Sequence, residues 1–177
     1  MPNDDLRALV RTIPDHPKPG ILFRDITTLL LDARGFASAV ERMAALAPGP
    51  YDLVAGIEAR GFIFAAALAH RLGAGVLLIR KRNKLPGAVI GVNYALEYGE
   101  DRVEVHADAV RAGVRVLLVD DLIATGGTAV AGTELIRRAG GIVDTAAFVI
   151  DLPDLGGAAK LRAHGVEPTA LMAFEGH

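Results

Sequence analysis

The sequence predicts an α/β fold with a central, mostly parallel sheet flanked by helices. Three observations carry that expectation. Apolar runs such as Val116–Val119, without polar alternation, read as strands buried on both faces. Stretches with helical spacing follow these runs, and such alternation implies right-handed crossovers between parallel strands. At 177 residues the chain has the size of one domain, long enough to bury a substantial core.

The elements follow in order. Leu6, Leu9, Val10 and Ile13 recur at helical spacing behind Asn3, Asp4 and Asp5, which suit a helix start. Pro14–Gly20, rich in proline, reads as an irregular connection. Phe36, Val40 and Met43 trace a further helical pattern. Asp52–Gly56 reads as a strand, Gly61–Leu72 as a helix and Val76–Arg80 as a strand. Arg82–His106 is polar and glycine-containing, and reads as a long excursion in the form of a two-stranded flap, with Val103 and Val105 on its return arm. Val114–Val119 is the next strand, Thr128–Ala139 a helix, and Ile142–Ile150 a last long strand.

Composition removes several function classes. There is no cysteine, so disulfides and thiolate catalysis are excluded, and an intracellular setting is permitted. No apolar stretch is long enough to span a membrane, and the N-terminus with Asp4 and Asp5 does not read as a secretory signal. A net charge of −2 gives no reason to expect nucleic acid as a partner. The one serine, Ser38, lies in a helical pattern without a nucleophile elbow. The 5 histidines show no metal-ligand spacing.

The run Val116–Thr128 carries the chemistry. An apolar strand ends in Asp120 and Asp121, followed by Leu122, Ile123, Ala124, Thr125, Gly126, Gly127 and Thr128 and then a helix. Glycines let successive N–H groups point inward, the helix N-terminus adds partial positive charge, and the two threonines offer hydroxyls. Such a loop suits a phosphate. The carboxylates cannot face that same phosphate, and suit sugar hydroxyls or a magnesium ion shared with a second phosphate group. Two carboxylates alone would more readily precede a merely well-capped helix, but the whole run favours a phosphorylated sugar carrying a second, distant anionic group.

This run resembles the phosphoribosyl-pyrophosphate (PRPP) binding motif of the type I phosphoribosyltransferases. Within that family, the likeness to members acting on adenine extends over nearly the whole chain, through Pro17–Asp25, Glu58–Phe62, Arg80–Gly87 and Tyr94–Gly99. The resemblance implies a single domain over residues 1–177, with a small hood from about 1–30 and 151–177 and a flexible catalytic loop over about 82–106. It implies transfer of the 5-phosphoribosyl group from PRPP to adenine, giving AMP and pyrophosphate with Mg2+, in a cytoplasmic homodimer of purine salvage. Another purine as acceptor, or a non-catalytic PRPP- or purine-sensing regulator on the same fold, are the alternatives. A regulator usually adds a DNA-binding domain, for which no basic recognition helix is evident.

The resemblance also assigns residues. Arg60, Arg80 and Lys84 are expected at the pyrophosphate, while Lys81 and Arg82 point elsewhere by strand alternation. Asp120, Asp121, Ala124, Thr125, Gly126, Gly127 and Thr128 are expected around the phosphorylated ribose, with magnesium held mainly through PRPP and water. Leu22, Phe23, Arg24 and Leu155 form the adenine slot, Phe23 by stacking. Glu97 is the expected general acid or base and Tyr98 the residue that shields the closed site; Arg60 is its catalytic partner. A non-proline cis peptide is expected near Ala59. Members acting on 6-oxopurines usually carry a third Asp where this chain has Ala124, so Ala124 speaks for adenine.

Overall fold

The computed structural model describes residues 3–95 and 99–176. A short helix α1 (Asp4–Arg7) precedes a hairpin of β1 (Arg11–Pro14) and β2 (Leu22–Asp25), followed by α2 (Thr27–Leu31) and α3 (Ala33–Leu46). Then come β3 (Leu53–Ile57), α4 (Gly61–Leu72) and β4 (Gly75–Lys81). A second hairpin, β5 (Val89–Ala95) and β6 (Glu100–His106), leads to β7 (Arg115–Ile123), α5 (Gly127–Arg138) and β8 (Ile142–Asp151). A 3-10 turn (Pro153–Leu155), α6 (Gly157–Ala163) and β9 (Glu167–Ala173) complete the described chain.

Local chemistry sets the helix ends. The Asp32 carboxylate caps α3 by accepting from the Gly35 N–H at 2.7 Å, and Gly73 closes α4 in the left-handed conformation at φ 70°. The main sheet has seven strands in the order β5-β6-β4-β3-β7-β8-β9. Neighbours from β4 through β9 are parallel, and the hairpin joins antiparallel through β4 and β6. Because strand side chains alternate between faces, the sheet feeds two cores. Val54, Leu117, Val119 and Val149 meet Phe64 and Leu68 of α4 on one face. Ala55, Leu118 and Phe148 meet Leu135 and Ile136 of α5 on the other.

Three expectations are corrected. The N-terminal helix stops at Arg7, and Ile13 lies in β1; there Arg11 pairs across the hairpin with buried Asp25, which competes successfully with weak helical spacing. The strand expected to end at Val119 runs on to Ile123, carrying both aspartates inside it, because Leu122 and Ile123 continue the ladder to Ile150 and Asp151. Within the 82–106 excursion the expected two-stranded flap is present, with Val103 and Val105 on its return arm, and Glu104 and Val103 pair with Arg80 and Lys81, so the hairpin extends the sheet. Residues 167–173, read as hood, form β9 and pair with β8 in the main sheet. Among the described residues, no helix is long and apolar enough to cross a membrane.

Candidate active site

The last third of β7 and the start of α5 build the site. Asp120 Oδ1 accepts from the Asp121 N–H at 2.9 Å. Asp121 is buried, and its Oδ2 lies 2.8 Å from Arg60 Nε, an ion pair without hydrogen-bond alignment. Burial, together with the neighbouring Asp121 charge, pushes the Asp120 carboxyl well above the usual range. Burial also raises Asp121, and Arg60 opposes that rise. Holding two carboxylates here is costly, which is why the arrangement points to ligand work rather than to stability.

After Ile123 the chain turns through Ala124 and Thr125 to Gly126, whose φ of 77° favours glycine and whose carbonyl starts α5. The first N–H groups of α5 have no partner within the helix and, with the helix dipole, face a cleft of about 180 Å³. Asp120, Ala124, Thr125, Gly126, Gly127 and Thr128 all line it. Sequence reading missed what backs this loop. Gly157 donates its N–H to the Ala124 carbonyl at 3.0 Å, and a Cβ on Gly157 would lie only 2.3 Å from that oxygen. The doublet Gly156-Gly157 was the visible signal.

A second, more apolar cleft of about 230 Å³ is lined by Leu22, Phe23, Arg24, Arg60, Ala124 and Leu155, together with His16, Pro17, Ile21, Leu122 and Leu152. It holds the whole expected adenine slot. Phe23 meets the His16 ring edge-on at 5.1 Å, and the Arg60 guanidinium lies 5.5 Å from its ring centre. The Arg24 side chain is engaged away from the cleft, donating to Thr12 and to the Glu175 carbonyl. Leu122 and Ala124 line both clefts, so the two subsites are contiguous.

The remaining expected cations are engaged with other side chains. Arg80 Nε lies 3.0 Å from Glu58 Oε2, and the same oxygen accepts from the Lys81 N–H at 2.8 Å. Burial works against the Glu58 charge, but Arg80, this N–H and the charge of Lys84 hold its carboxyl below the usual range. Neither Arg80 nor Lys84 lines the clefts, although Glu58 is joined to Ala59 by the expected non-proline cis peptide, directly ahead of Arg60. Lys81 points elsewhere, to Tyr94 and Asp101. Glu97 and Tyr98 lie outside the described residues.

A parallel sheet whose strand end carries paired aspartates, a hydroxyl- and glycine-lined anion loop and a neighbouring aromatic slot defines the phosphoribosyltransferase class. Accordingly, the family model described as "phosphoribosyl transferase domain" matches residues 25–162. An adenine phosphoribosyltransferase from Bradyrhizobium sp. strain BTAi1 is 61% identical over 174 residues, covering 98% of this chain and 97% of the relative. Among solved structures, the adenine phosphoribosyltransferase of Thermoanaerobacter pseudethanolicus superposes with a TM-score of 0.92 at 46% identity, covering 97% of this chain and 99% of that one. The Saccharomyces cerevisiae enzyme, solved with an imino-altritol bisphosphate and adenine, superposes with a TM-score of 0.87 at 34% identity, covering 95% and 97%. The chain belongs to the adenine phosphoribosyltransferase family.

Proposed function

We infer that this chain transfers the 5-phosphoribosyl group of PRPP to adenine, giving AMP and pyrophosphate. The observation that carries this reading is the contiguity of the two clefts through Leu122 and Ala124, which sets a flat aromatic slot beside an anion loop. The 5-phosphate takes the α5 N-terminus with the Thr125 and Thr128 hydroxyls, and the ribose hydroxyls take Asp120 and Asp121. Adenine stacks on Phe23 opposite Leu155. Backbone groups at Leu22 and Arg24 on β2 take the edge of the base.

Adenine N9 attacks C1′ of the ribose as the pyrophosphate oxygen departs. Positive charge grows on the ribose ring, and the two aspartates beside it stabilise that charge while holding the ring in line. Arg60 exchanges Asp121 for the pyrophosphate, with Arg80 and Lys84 adding charge on the same side. Glu97 handles the imidazole proton and Tyr98 excludes water. Among the described residues no cluster of three metal-ligating side chains occurs. Magnesium keeps several waters and takes substrate phosphates with one or two carboxylates. Asp121 Oδ2, buried without a hydrogen bond among the described residues, and Asp120 are the carboxylates that would hold it. When bound, the ion neutralises charge on the departing pyrophosphate.

The reading extends to a homodimer in the cytoplasm. Exposed Ile63 on α4 and Val76 and Leu78 on adjacent β4 supply apolar surface for a second copy; light scattering that finds only monomer at micromolar concentration would remove that part, as cell fractionation that places the enzyme outside the cytoplasm would remove the other. The central test is pyrophosphate release with PRPP, Mg2+ and a panel of purines. Adenine should exceed hypoxanthine and guanine by up to about 10⁴–10⁵ in kcat/KM, because a 6-oxo edge leaves buried groups unpaired. Comparable values for adenine and hypoxanthine would overturn the assignment.

A further inference from the structure

The base slot is walled by two pieces of chain that are distant in sequence. One is β2, with Leu22, Phe23 and Arg24; the other is the 3-10 turn that ends in Leu155. Among the described residues, β2 pairs only with β1, in a sheet separate from the main one. Strand pairing with the main sheet therefore does not set the separation of the two walls.

The three residues after β9 span that separation. The Phe174 N–H donates to the Asp151 carbonyl at 3.0 Å, and its ring is buried. The Arg24 guanidinium lies 4.7 Å from the centre of that ring, an attractive placement for a cation. Its two terminal nitrogens reach in different directions: Nη2 donates to the Glu175 carbonyl at 2.8 Å, and Nη1 to Thr12 Oγ1 on β1 at 2.7 Å. Next along the chain, the Gly176 N–H donates to Asp154 Oδ2 at 2.9 Å, one residue before Leu155. A Cβ on Gly176 would lie 3.6 Å from Leu22 Cδ1. Gly176 thus faces one wall and is hydrogen-bonded to the other. Neither Asp154 nor Gly176 lines a cleft, so both act on the base through their neighbours.

We propose that Arg24, Asp154 and Gly176 are positioning residues for the acceptor base: through Phe174–Gly176 they tie β2 to the Leu155 turn and fix the slot between them. This rests on the reading of the site given above and deepens it. Two consequences follow from the geometry. The Asp154–Gly176 bond sets how closely Leu155 stands opposite Phe23, and so how well a flat ring is held. The Arg24 contacts fix the β2 backbone, and a polar edge rejects a mismatched base only while its own groups cannot turn to meet it. The anion loop is backed separately, by Gly157, so the tie should act on the base and not on PRPP.

The experiment compares Asp154→Ala, Asp154→Asn, Gly176→Pro, the double variant Asp154→Ala/Gly176→Pro, and Arg24→Met. It measures kcat, KM for PRPP and for adenine, kcat/KM for hypoxanthine, and thermal midpoint. Asp154→Ala and Gly176→Pro delete the same hydrogen bond from its two ends. Each is expected to raise KM for adenine about 3- to 10-fold, the worth of one hydrogen bond, with KM for PRPP within about twofold of wild type. The double variant should be no worse than the poorer single, because only one interaction is lost. Asp154→Asn keeps an oxygen acceptor for the Gly176 N–H and should restore KM for adenine to within about twofold of wild type. Arg24→Met keeps the apolar stem and loses both hydrogen bonds, and should lower the preference for adenine over hypoxanthine by about tenfold. Asp154 is exposed, so its variants stay folded even where Arg24→Met does not.

Four results overturn the proposal. One is an unchanged KM for adenine in Asp154→Ala, and another an equal rise of both KM values with a lowered thermal midpoint, which marks a role in stability alone. The third is Asp154→Asn as impaired as Asp154→Ala, and the fourth an unchanged base preference in a folded Arg24→Met. A wild-type chain that uses adenine while the variants match it sinks the tie alone; a wild-type chain inactive with adenine sinks the underlying reading and the tie with it.

Discussion

Gly157 opens α6 directly behind the anion loop, and a methyl group there has nowhere to go. A Cβ at this position would lie 2.3 Å from the Ala124 carbonyl oxygen, 2.8 Å from the Gly126 nitrogen and 2.8 Å from the Ile123 side chain. Two of these three are backbone atoms, which cannot swing aside as a side-chain end can. Restoring ordinary contact with the Ala124 oxygen requires about 1.1 Å of movement by either α6 or the loop. Overpacking of this kind typically costs about 1–3 kcal/mol. The functional effect should be larger than the stability effect, since a shift near 1 Å at a binding loop costs on the order of 10²-fold. Gly157→Ala is therefore expected to lower kcat/KM for PRPP by about 10²-fold while the chain stays folded at assay temperature. Gly132→Ala is the matched control: within α5, its Cβ would meet Leu118, Ile57 and Ile79 at an ordinary 3.4–3.5 Å. It should keep activity and gain up to about 1 kcal/mol from helix propensity. Pyrophosphate release, PRPP calorimetry and thermal midpoints measure all of this. Wild-type kcat and PRPP affinity in Gly157→Ala would refute the reasoning.

Asp120→Asn with Asp121→Asn should reduce turnover by about 10²–10³ or more, and near-normal activity would remove the ribose role. Asp120→Asn alone should raise the thermal midpoint: its carboxyl is raised in the folded chain, so the native state loses stability as pH climbs above the usual carboxylate value of about 4, and the amide removes that loss. A midpoint at pH 7.5 below that of wild type would contradict this. Asp25 behaves oppositely. The Thr27 N–H and Arg11 hold it down to about 2, so its contribution is present above about 4 and lost as pH falls toward 2; the thermal midpoint of Asp25→Asn should decline less over that window, and parallel decline in both chains would count against it. Glu97→Ala should lower kcat by roughly 10²–10⁴ with little change in PRPP binding, and an unimpaired alanine variant would make the proton-transfer assignment wrong.

The central strands and helices were legible because burial on both faces leaves a continuous apolar run and a covering helix leaves a 3.6-residue period. Gly61–Leu72 was read with the ends it has, since Arg60-Gly61 and Gly73 punctuate it. β9 escaped notice because Glu167 and Pro168 make its start look unlike a strand. Its edge position tolerates them, since among the described residues only β8 adjoins it. The carboxylate pair and loop were readable as a motif, yet the membership of both aspartates in the strand was not. Asp120 and Asp121 look like a terminus by polarity, and only the ladder to Phe148 and Ile150 shows that the strand continues. The slot residues His16, Ile21 and Leu152 were hidden for another reason: they come from distant parts of the chain and carry no pattern that announces a shared wall.

The two clefts differ in how their walls are made. The anion side is one uninterrupted piece of chain from Asp120 to Ala129, whereas the base side is assembled from pieces near His16–Arg24 and Leu152–Leu155 that merely lean on it. On the reading proposed above, a substitution in those outlying pieces reshapes what is read without moving the handle that grips the sugar phosphate. Variation aimed at a new acceptor base has room to work at His16, Ile21 and Leu155, each half-buried or exposed. Leu122 and Ala124 offer no such freedom, because any change there is felt on both sides at once.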